Sequence, residues 1–406
     1  MKTANEDFQR LDHFNLVRLD FLTQVSRKLS GTISDEEKPV VVLITHLLPD
    51  RPALVTALNN LFEVVHIFGI PYSTDTDAAR WLGNRFPLSQ PTLTALLSGE
   101  CIEQVIMKFQ SKKVILMDIG GYGALIIRRT REAMRGHMLG VIEGADSGIR
   151  RYIDSGPHSL PIVGMSMSPI KSAESTLVGE SCLFSIDRIL RTLGFSNEVR
   201  NVTVLGYGRV GVGVAAACKS RGYSVSIFDT NDERRLQALA DGFLIPSRGS
   251  ALASADLVLA ATGRRSWSAD DAQLMREGAF LASCSSKDIE YGYSDIAEKY
   301  GTEEPTSGIN VSLIQGRRLN FIYAGHPVNF RDGANLGPIL TLVQAEAIAS
   351  CLGIALGAFQ SGVNPPNETA RAAILKQWIQ FYVDEEFGWF SRRTAIEQDH
   401  SQSTSM

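Results

Sequence analysis

The chain has 406 residues, 44% of them hydrophobic, too long for one typical core and enough for two domains that each bury a sizeable one. Its 40 Lys and Arg against 44 Asp and Glu give a formal net charge of -4. That balance lacks the basic excess that draws a polyanion, so nucleic acid is not an expected partner.

Cys101, Cys182, Cys218, Cys284 and Cys351 are odd in number, widely spread and without a CxxC pair. This argues against a disulfide framework and a zinc cage; a reducing, cytoplasmic setting without a metal is expected. In chain order, the opening MKTANEDFQRLDHF mixes charges and lacks the apolar core of a signal peptide. From Pro39 short apolar runs alternate with amphipathic ones: VVVLIT, a helical pattern over Arg51 to Leu61, EVVHIFG, then KKVILMD and a helical pattern over Ala124 to Met134. Strands alternating with helices predict a largely parallel sheet. Leu183, Ile186, Ile189, Leu190 and Leu193 have the spacing of a connecting helix, with a hinge nearby. A second series, NVTVLGYG, SVSIFD, DLVLAATG and AFLASCS, predicts a second α/β lobe. Leu336 to Phe359 is apolar but interrupted by Gln344 and Glu346, which favours a buried helix over a bilayer span. It comes too late to complete the second sheet and is expected to return to the first lobe. The tail from Thr394 is polar and expected to fray.

Val202 to Leu205 reads as a buried strand, Gly206-Tyr207-Gly208-Arg209-Val210-Gly211 follows at once, and Val212 to Lys219 is an Ala-rich helix. Gly206 permits a tight turn, Gly208 lets the backbone approach a pyrophosphate, and Gly211 allows close helix–strand packing with phosphates on the helix N-terminus. A lone GxGxxG is weak evidence, but here strand, helix and acid arrive together. Asp229 ends the next strand, where a carboxylate accepts hydrogen bonds from the adenosine ribose and repels a 2′-phosphate, so NAD is expected over NADP. Arg234 and Arg235 beyond it read as solvated charges. The predicted class is α/β with two doubly wound lobes. A substrate-binding α/β domain spans 1–180 and 330–375, a Rossmann NAD-binding domain is inserted over 181–329, and a divergent extension covers 376–406, with a cleft between the lobes.

With that unit placed, the flanking segments resemble S-adenosylhomocysteine hydrolases. VLGYGRVGVGVA is similar to that family's AGYGDVGKGxA, AATG at 260–263 to its strand-end TTG, and QGRRLNF with GHP at 325–327 to its EGRLxNL and GHP. Upstream, ITHLLPDRPALV resembles CLHMTxxTAVL, YSTDTDAA resembles FSTQDHAA, and MDIGG resembles LDDGG. GVIEGADSGIRRY is similar to GxxEETTTGVxRLY, and IKSAESTLVG to TKSxxDNLYG. Eight matches in register span both lobes. The resemblance implies bound NAD that oxidises a ribose 3′-hydroxyl, a base that removes the acidified 4′ proton, and loss of the 5′ substituent.

Carried over residue by residue, the family's sugar lysine falls on Lys171, its 5′-side histidine on His46 and its GHP histidine on His326. Asp50 stands where the family sets Glu or Gln against the adenine, and Asp118 matches the first carboxylate of LDDGG. Glu143 is either structural or reaches the sugar if its loop shifts by one residue. Catalytic expectations therefore rest on Lys171, His46, Asp118 and Glu143, and substrate contacts on Asp50, Ser73, Ser175, Thr176 and His326. Cofactor contacts are implied at Thr262, Gly263, Asn320, Asp146 and Ser147 besides the glycine loop and Asp229. Several positions depart from the family. Ile119 replaces its second carboxylate, Gly144 the Glu that holds the ribose hydroxyl, and Ser175-Thr176 its Asp-Asn pair. Lys287 sits near where the family has a histidine. The lysine-tyrosine tail that reaches a neighbouring subunit's NAD is not recognisable in FSRRTAIEQDHSQSTSM.

Loss of a positioned acid–base group costs about 10²–10⁴-fold, so these departures weaken the ancestral reaction. The expected function is transient oxidation of a nucleoside sugar that enables elimination, dehydration or epimerisation on a substrate related to adenosylhomocysteine or adenosine, in a homo-oligomer. Adenosylhomocysteine hydrolysis and a non-catalytic NAD-binding regulator are the alternatives. A 2-hydroxy-acid dehydrogenase would use Arg264-Arg265 for a carboxylate, but CSSKDIEYG offers no histidine paired with an acid.

Overall fold

A computed structural model describes residues 13–34, 36, 38–129, 137–195, 198–285, 289–334 and 336–384. The expected frayed tail, the C-terminal motif and Lys287 lie outside these residues. The chain divides into two compact units, Met1–Lys171 with Gly337–Met406, and Ser172–Leu336. It passes from one to the other within the helix Pro169–Thr192.

The described strands, in chain order, are β1 (Val40–Leu47), β2 (Glu63–Thr74), β3 (Leu88–Ser89), β4 (Val114–Asp118), β5 (Met138–Glu143), β6 (Pro161–Gly164) and β7 (Asn201–Leu205). They continue as β8 (Ser224–Phe228), β9 (Leu257–Ala260), β10 (Phe280–Ser283), β11 (Glu303–Thr306), β12 (Ile309–Ile314), β13 (Arg317–Ile322) and β14 (Gly362–Asn364).

The first unit holds a seven-stranded sheet ordered β14-β6-β5-β4-β1-β2-β3, with every neighbouring pair parallel. The order reverses between β1 and β4, the place where open α/β sheets form their ligand crevice. All eight residues of β1 are buried, as a central strand covered on both faces requires. Val41 and Leu43 feed the core on one face, and Val40, Val42 and Ile44 the core on the other. β2 runs past the predicted EVVHIFG to Thr74. A register shift pairs Thr74 with Leu47 and carries Ser73 to the end of β1.

The apolar stretch after Gly337 forms the helix Ile339–Ala355, which packs in the first unit's core through Leu342, Ala345, Ile348 and Leu352. Among the described residues no helix is long and apolar enough to cross a membrane. The helix Glu368–Tyr382 is also tied to this core, with the rings of Phe381 and Tyr382 5.3 and 5.5 Å from that of Phe21.

The second unit's sheet is ordered β11-β12-β13-β10-β9-β7-β8. Strands β8, β7, β9, β10 and β13 are parallel, and β12 and β11 add an antiparallel edge. Here the order reverses between β7 and β9, which places the glycine loop and the AATG turn side by side at its carboxyl edge.

Candidate functional site

In the first unit, His46 stands next to last in β1 and is buried, with its Nδ1 2.5 Å from Ser73 Oγ and its ring edge-on to Tyr72. Asp50 follows in the turn and is buried too. One of its oxygens accepts from the Arg51 guanidinium and from Gln344 Nε2, the latter at 2.5 Å. The sequence gives neither Arg51 nor Gln344 a part at Asp50, and Gln344 reaches it only because a distant helix packs there.

Across the crevice, Asp118 ends β4. Its Oδ2 accepts from the Gly123 N–H at 2.8 Å and the Tyr152 hydroxyl at 2.7 Å. Glu143 ends β5 with no exposed surface. Its Oε1 accepts from Gly120 N–H at 2.9 Å and Ala145 N–H at 2.7 Å, and its Oε2 from Gly121 N–H at 2.8 Å. Gly148 makes room for it: a Cβ there would lie 2.2 Å from the carboxyl carbon. Burial, with the Asp118 charge second, pushes the Glu143 carboxyl well above the usual range, against the pull of its three N–H bonds. The expected reach of Glu143 to a sugar is thus corrected, since its oxygens are committed to loop backbone. Ile119 fills the space over Gly144, where a Cβ would meet Ile119 Cγ1 at 2.9 Å.

Asp146 is exposed and ion-paired with Arg150 at 2.9 Å, while Ser147 is half-buried in the first turn of the helix Asp146–Asp154. Lys171 is half-buried in the first turn after β6 and its 3-10 turn. Its N–H donates to the Ser168 carbonyl at 3.1 Å, and the Ser168 hydroxyl donates to the buried Glu346 at 3.0 Å. Burial raises the Glu346 carboxyl. The structure thus sets His46, Ser73, Asp118 and Lys171 on segments that leave the carboxyl edge of one sheet.

In the second unit, Gly206 has φ +95°, and a Cβ on it would meet Ala261 O and Thr262 Cγ2, each at 2.9 Å. A Cβ on Gly211 would fall 2.0 Å from Gly206 O, so the helix Arg209–Ser220 closes tightly on the turn. Gly208 differs: the nearest atom to a Cβ there is Arg234 Nη1 at 3.8 Å. The loop therefore leaves an open cradle of backbone at a helix N-terminus, which fits a pyrophosphate. Tyr207 is buried, and Arg209 and Val210 are half-buried in the first turn of that helix. Asp229 is buried, with Oδ2 accepting from Tyr207 N–H at 2.7 Å and Oδ1 from Asn231 N–H at 2.9 Å. Arg234 Nη1 lies 3.7 Å from Asp229, so Arg234 is more than a solvated charge.

Thr262 and Gly263 follow β9 at the same edge. Asn320 does not belong there. It pairs with Phe280 at the start of β10, and its amide donates to the Gly278 carbonyl at 2.7 Å, on the amino side of the sheet. That register removes it from the expected cofactor contacts. His326 lies at the carboxyl edge, beside the bridge that pairs Pro327 with Ser283. It follows three left-handed residues, Tyr323 (φ 51°), Ala324 (φ 53°) and Gly325 (φ 72°). Two non-glycine residues so placed mark a strained turn of the kind that clusters at ligand sites. Ser175 is buried and Thr176 exposed, and the Thr176 backbone packs on Gly213, where a Cβ would meet its carbonyl oxygen at 2.6 Å.

Together these features define an α/β protein with an NAD site on an inserted Rossmann unit. The family described as S-adenosyl-L-homocysteine hydrolase, NAD binding domain, matches residues 180–324. An S-inosyl-L-homocysteine hydrolase of Methanosarcina mazei is 27% identical over 309 residues, 74% of this chain and 75% of that protein. An adenosylhomocysteinase of Thermotoga maritima is 26% identical over 319 residues, 73% and 78% of the two chains. Over about three-quarters of its length the chain is similar to these two proteins, its residues 180–324 match the NAD-binding domain of that family, and its cofactor is NAD.

Proposed function

We propose that this protein performs redox-assisted chemistry on the sugar of a nucleoside related to adenosylhomocysteine or inosylhomocysteine, with the sugar held differently from the family's usual way. The observation that carries this reading is the apolar Ile119 side chain packed over Gly144, next in sequence to an Asp118 that accepts from the Gly123 N–H and the Tyr152 hydroxyl and a Glu143 that accepts from three loop N–H groups. The edge of β4 and β5 offers an apolar side chain where a sugar hydroxyl would need an acceptor.

NAD, held by Gly206, Gly208, Gly211, Asp229, Thr262 and Gly263, supplies reversible oxidation of a sugar hydroxyl. Lys171 then accepts the proton of the carbon next to the oxidised position. Elimination breaks that C–H bond and the bond to the 5′ substituent, forms a carbon–carbon double bond, and leaves His46 to protonate the departing group. Ser73 holds the His46 ring in place for that transfer. A second reading, hydrolysis of the family's usual kind, is favoured by relatives whose names describe hydrolases and which match over about three-quarters of their length.

The two readings separate in one assay. With S-adenosylhomocysteine and S-inosylhomocysteine as substrates, exchange of the 4′ hydrogen with deuterated solvent and release of homocysteine thiol are expected without matching formation of adenosine or inosine. Adenosine or inosine formed in step with the thiol would establish ordinary hydrolysis instead.

A further inference from the structure

Glu290 is a fully buried carboxylate to which neither the sequence motifs nor the proposed chemistry gives a part. Its Oε1 accepts from the N–H groups of Thr262 and Gly263 at 2.7 and 2.6 Å, and its Oε2 from the Thr262 hydroxyl at 2.7 Å. Thr262 Oγ1 in turn accepts from the Arg264 N–H at 3.0 Å, so one side chain fixes three consecutive residues. The segment held in this way packs on the glycine turn, with Ala261 O and Thr262 Cγ2 pressed against Gly206.

We propose that Glu290 is a positioning residue of the NAD site, which holds the Thr262–Arg264 turn against Gly206 and so keeps the pyrophosphate cradle in shape. The inference depends on the cofactor alone and on none of the proposed sugar chemistry. It also makes a demand that ordinary core packing does not. Glutamine can replace Glu290 without loss: its Oε1 keeps both N–H bonds, and its amide donates to Thr262 Oγ1. The threonine hydrogen then turns to the Arg264 carbonyl, 3.0 Å away. Alanine removes every acceptor and leaves the half-buried Thr262 and Gly263 N–H groups without that partner.

The test uses the full-length chain, stripped of cofactor and titrated calorimetrically with NAD, together with amide hydrogen exchange of the segment 260–265. Glu290→Ala should weaken NAD by about tenfold or more and speed exchange at Thr262 and Gly263, and Glu290→Gln should stay within about threefold of the parent on both readouts. A folded Glu290→Ala with unchanged affinity and exchange would overturn the proposal, as would a glutamine variant as poor as the alanine one. If the alanine variant does not fold, Thr262→Val takes its place, because it deletes only the hydroxyl link. A valine variant that binds NAD and protects the turn as the parent does overturns the proposal; faster exchange and weaker binding support it.

Discussion

Glu143 and Glu290 do the same work on different sheets: each gathers backbone N–H groups from loops at strand ends, and burial raises both carboxyls. A carboxyl whose native pKa is raised holds its proton more tightly folded than unfolded. Its contribution to stability is therefore full below the ordinary glutamate value and is lost as pH rises through the raised one. Glu143→Gln keeps acceptors for Gly120 and Ala145 but turns an NH2 toward the Gly121 N–H, at a cost of about 1–3 kcal/mol. The variant cannot share the parent's loss, so its deficit should shrink between pH 5 and pH 8. Thermal unfolding of both proteins at the two pH values checks this, and a deficit that widens with pH would contradict it. At this scale the sequence is legible where a residue's position follows from its own strand. His46 ends an unbroken buried run, and the structure leaves it at a strand end. Glu143 and Asn320 were opaque because their partners come from loops beside other strands: Gly120 and Gly121 lie more than twenty residues upstream, and Gly278 meets Asn320 only through the β10–β13 register.

The glycine loop and its helix carry cofactor binding, and the structure gives the loop's glycines different tasks. Gly211→Ala forces a Cβ to within 2.0 Å of a backbone oxygen, so the helix must move off the turn. It should lower the melting temperature and weaken NAD together. Gly208→Val enters open space and should melt like the parent while losing NAD, because the side chain occupies the phosphate's place. Melting curves with and without NAD distinguish the two, and equal effects from both substitutions would contradict the assigned roles. This element was readable from sequence because strand, turn and helix are contiguous and each glycine answers a local steric need. The extension of β2 to Thr74 was not readable. It arises from a register shift against β1, and only that shift brings Ser73 to His46.

At the scale of the whole chain, the alternation of apolar runs and amphipathic helices predicted two parallel α/β sheets, and both are present. The late apolar helix Ile339–Ala355 packs in the first unit's core, to which it gives Leu342, Ala345, Ile348 and Leu352. Alternation reveals the class of fold because burial on both faces of a parallel strand leaves a composition signal. It does not reveal which polar side chains at the strand ends remain turned toward a ligand, since that depends on loops closing over them. Asp118 accepts from the Gly123 N–H and the Tyr152 hydroxyl and Glu143 from loop backbone, while His46 is tied to a serine and Lys171 lies in the first turn of a helix. In the proposed reaction Lys171 is the group that moves the sugar proton. The most direct test compares the parent and Lys171→Ala with an adenosine- or inosine-based substrate. It records the absorbance change of the bound nicotinamide and the exchange of the 4′ hydrogen with deuterated solvent. Both signals are expected in the parent, and in the variant a retained absorbance change with most of the exchange lost. Substrate that binds and protects the parent thermally, yet gives neither signal, would contradict it.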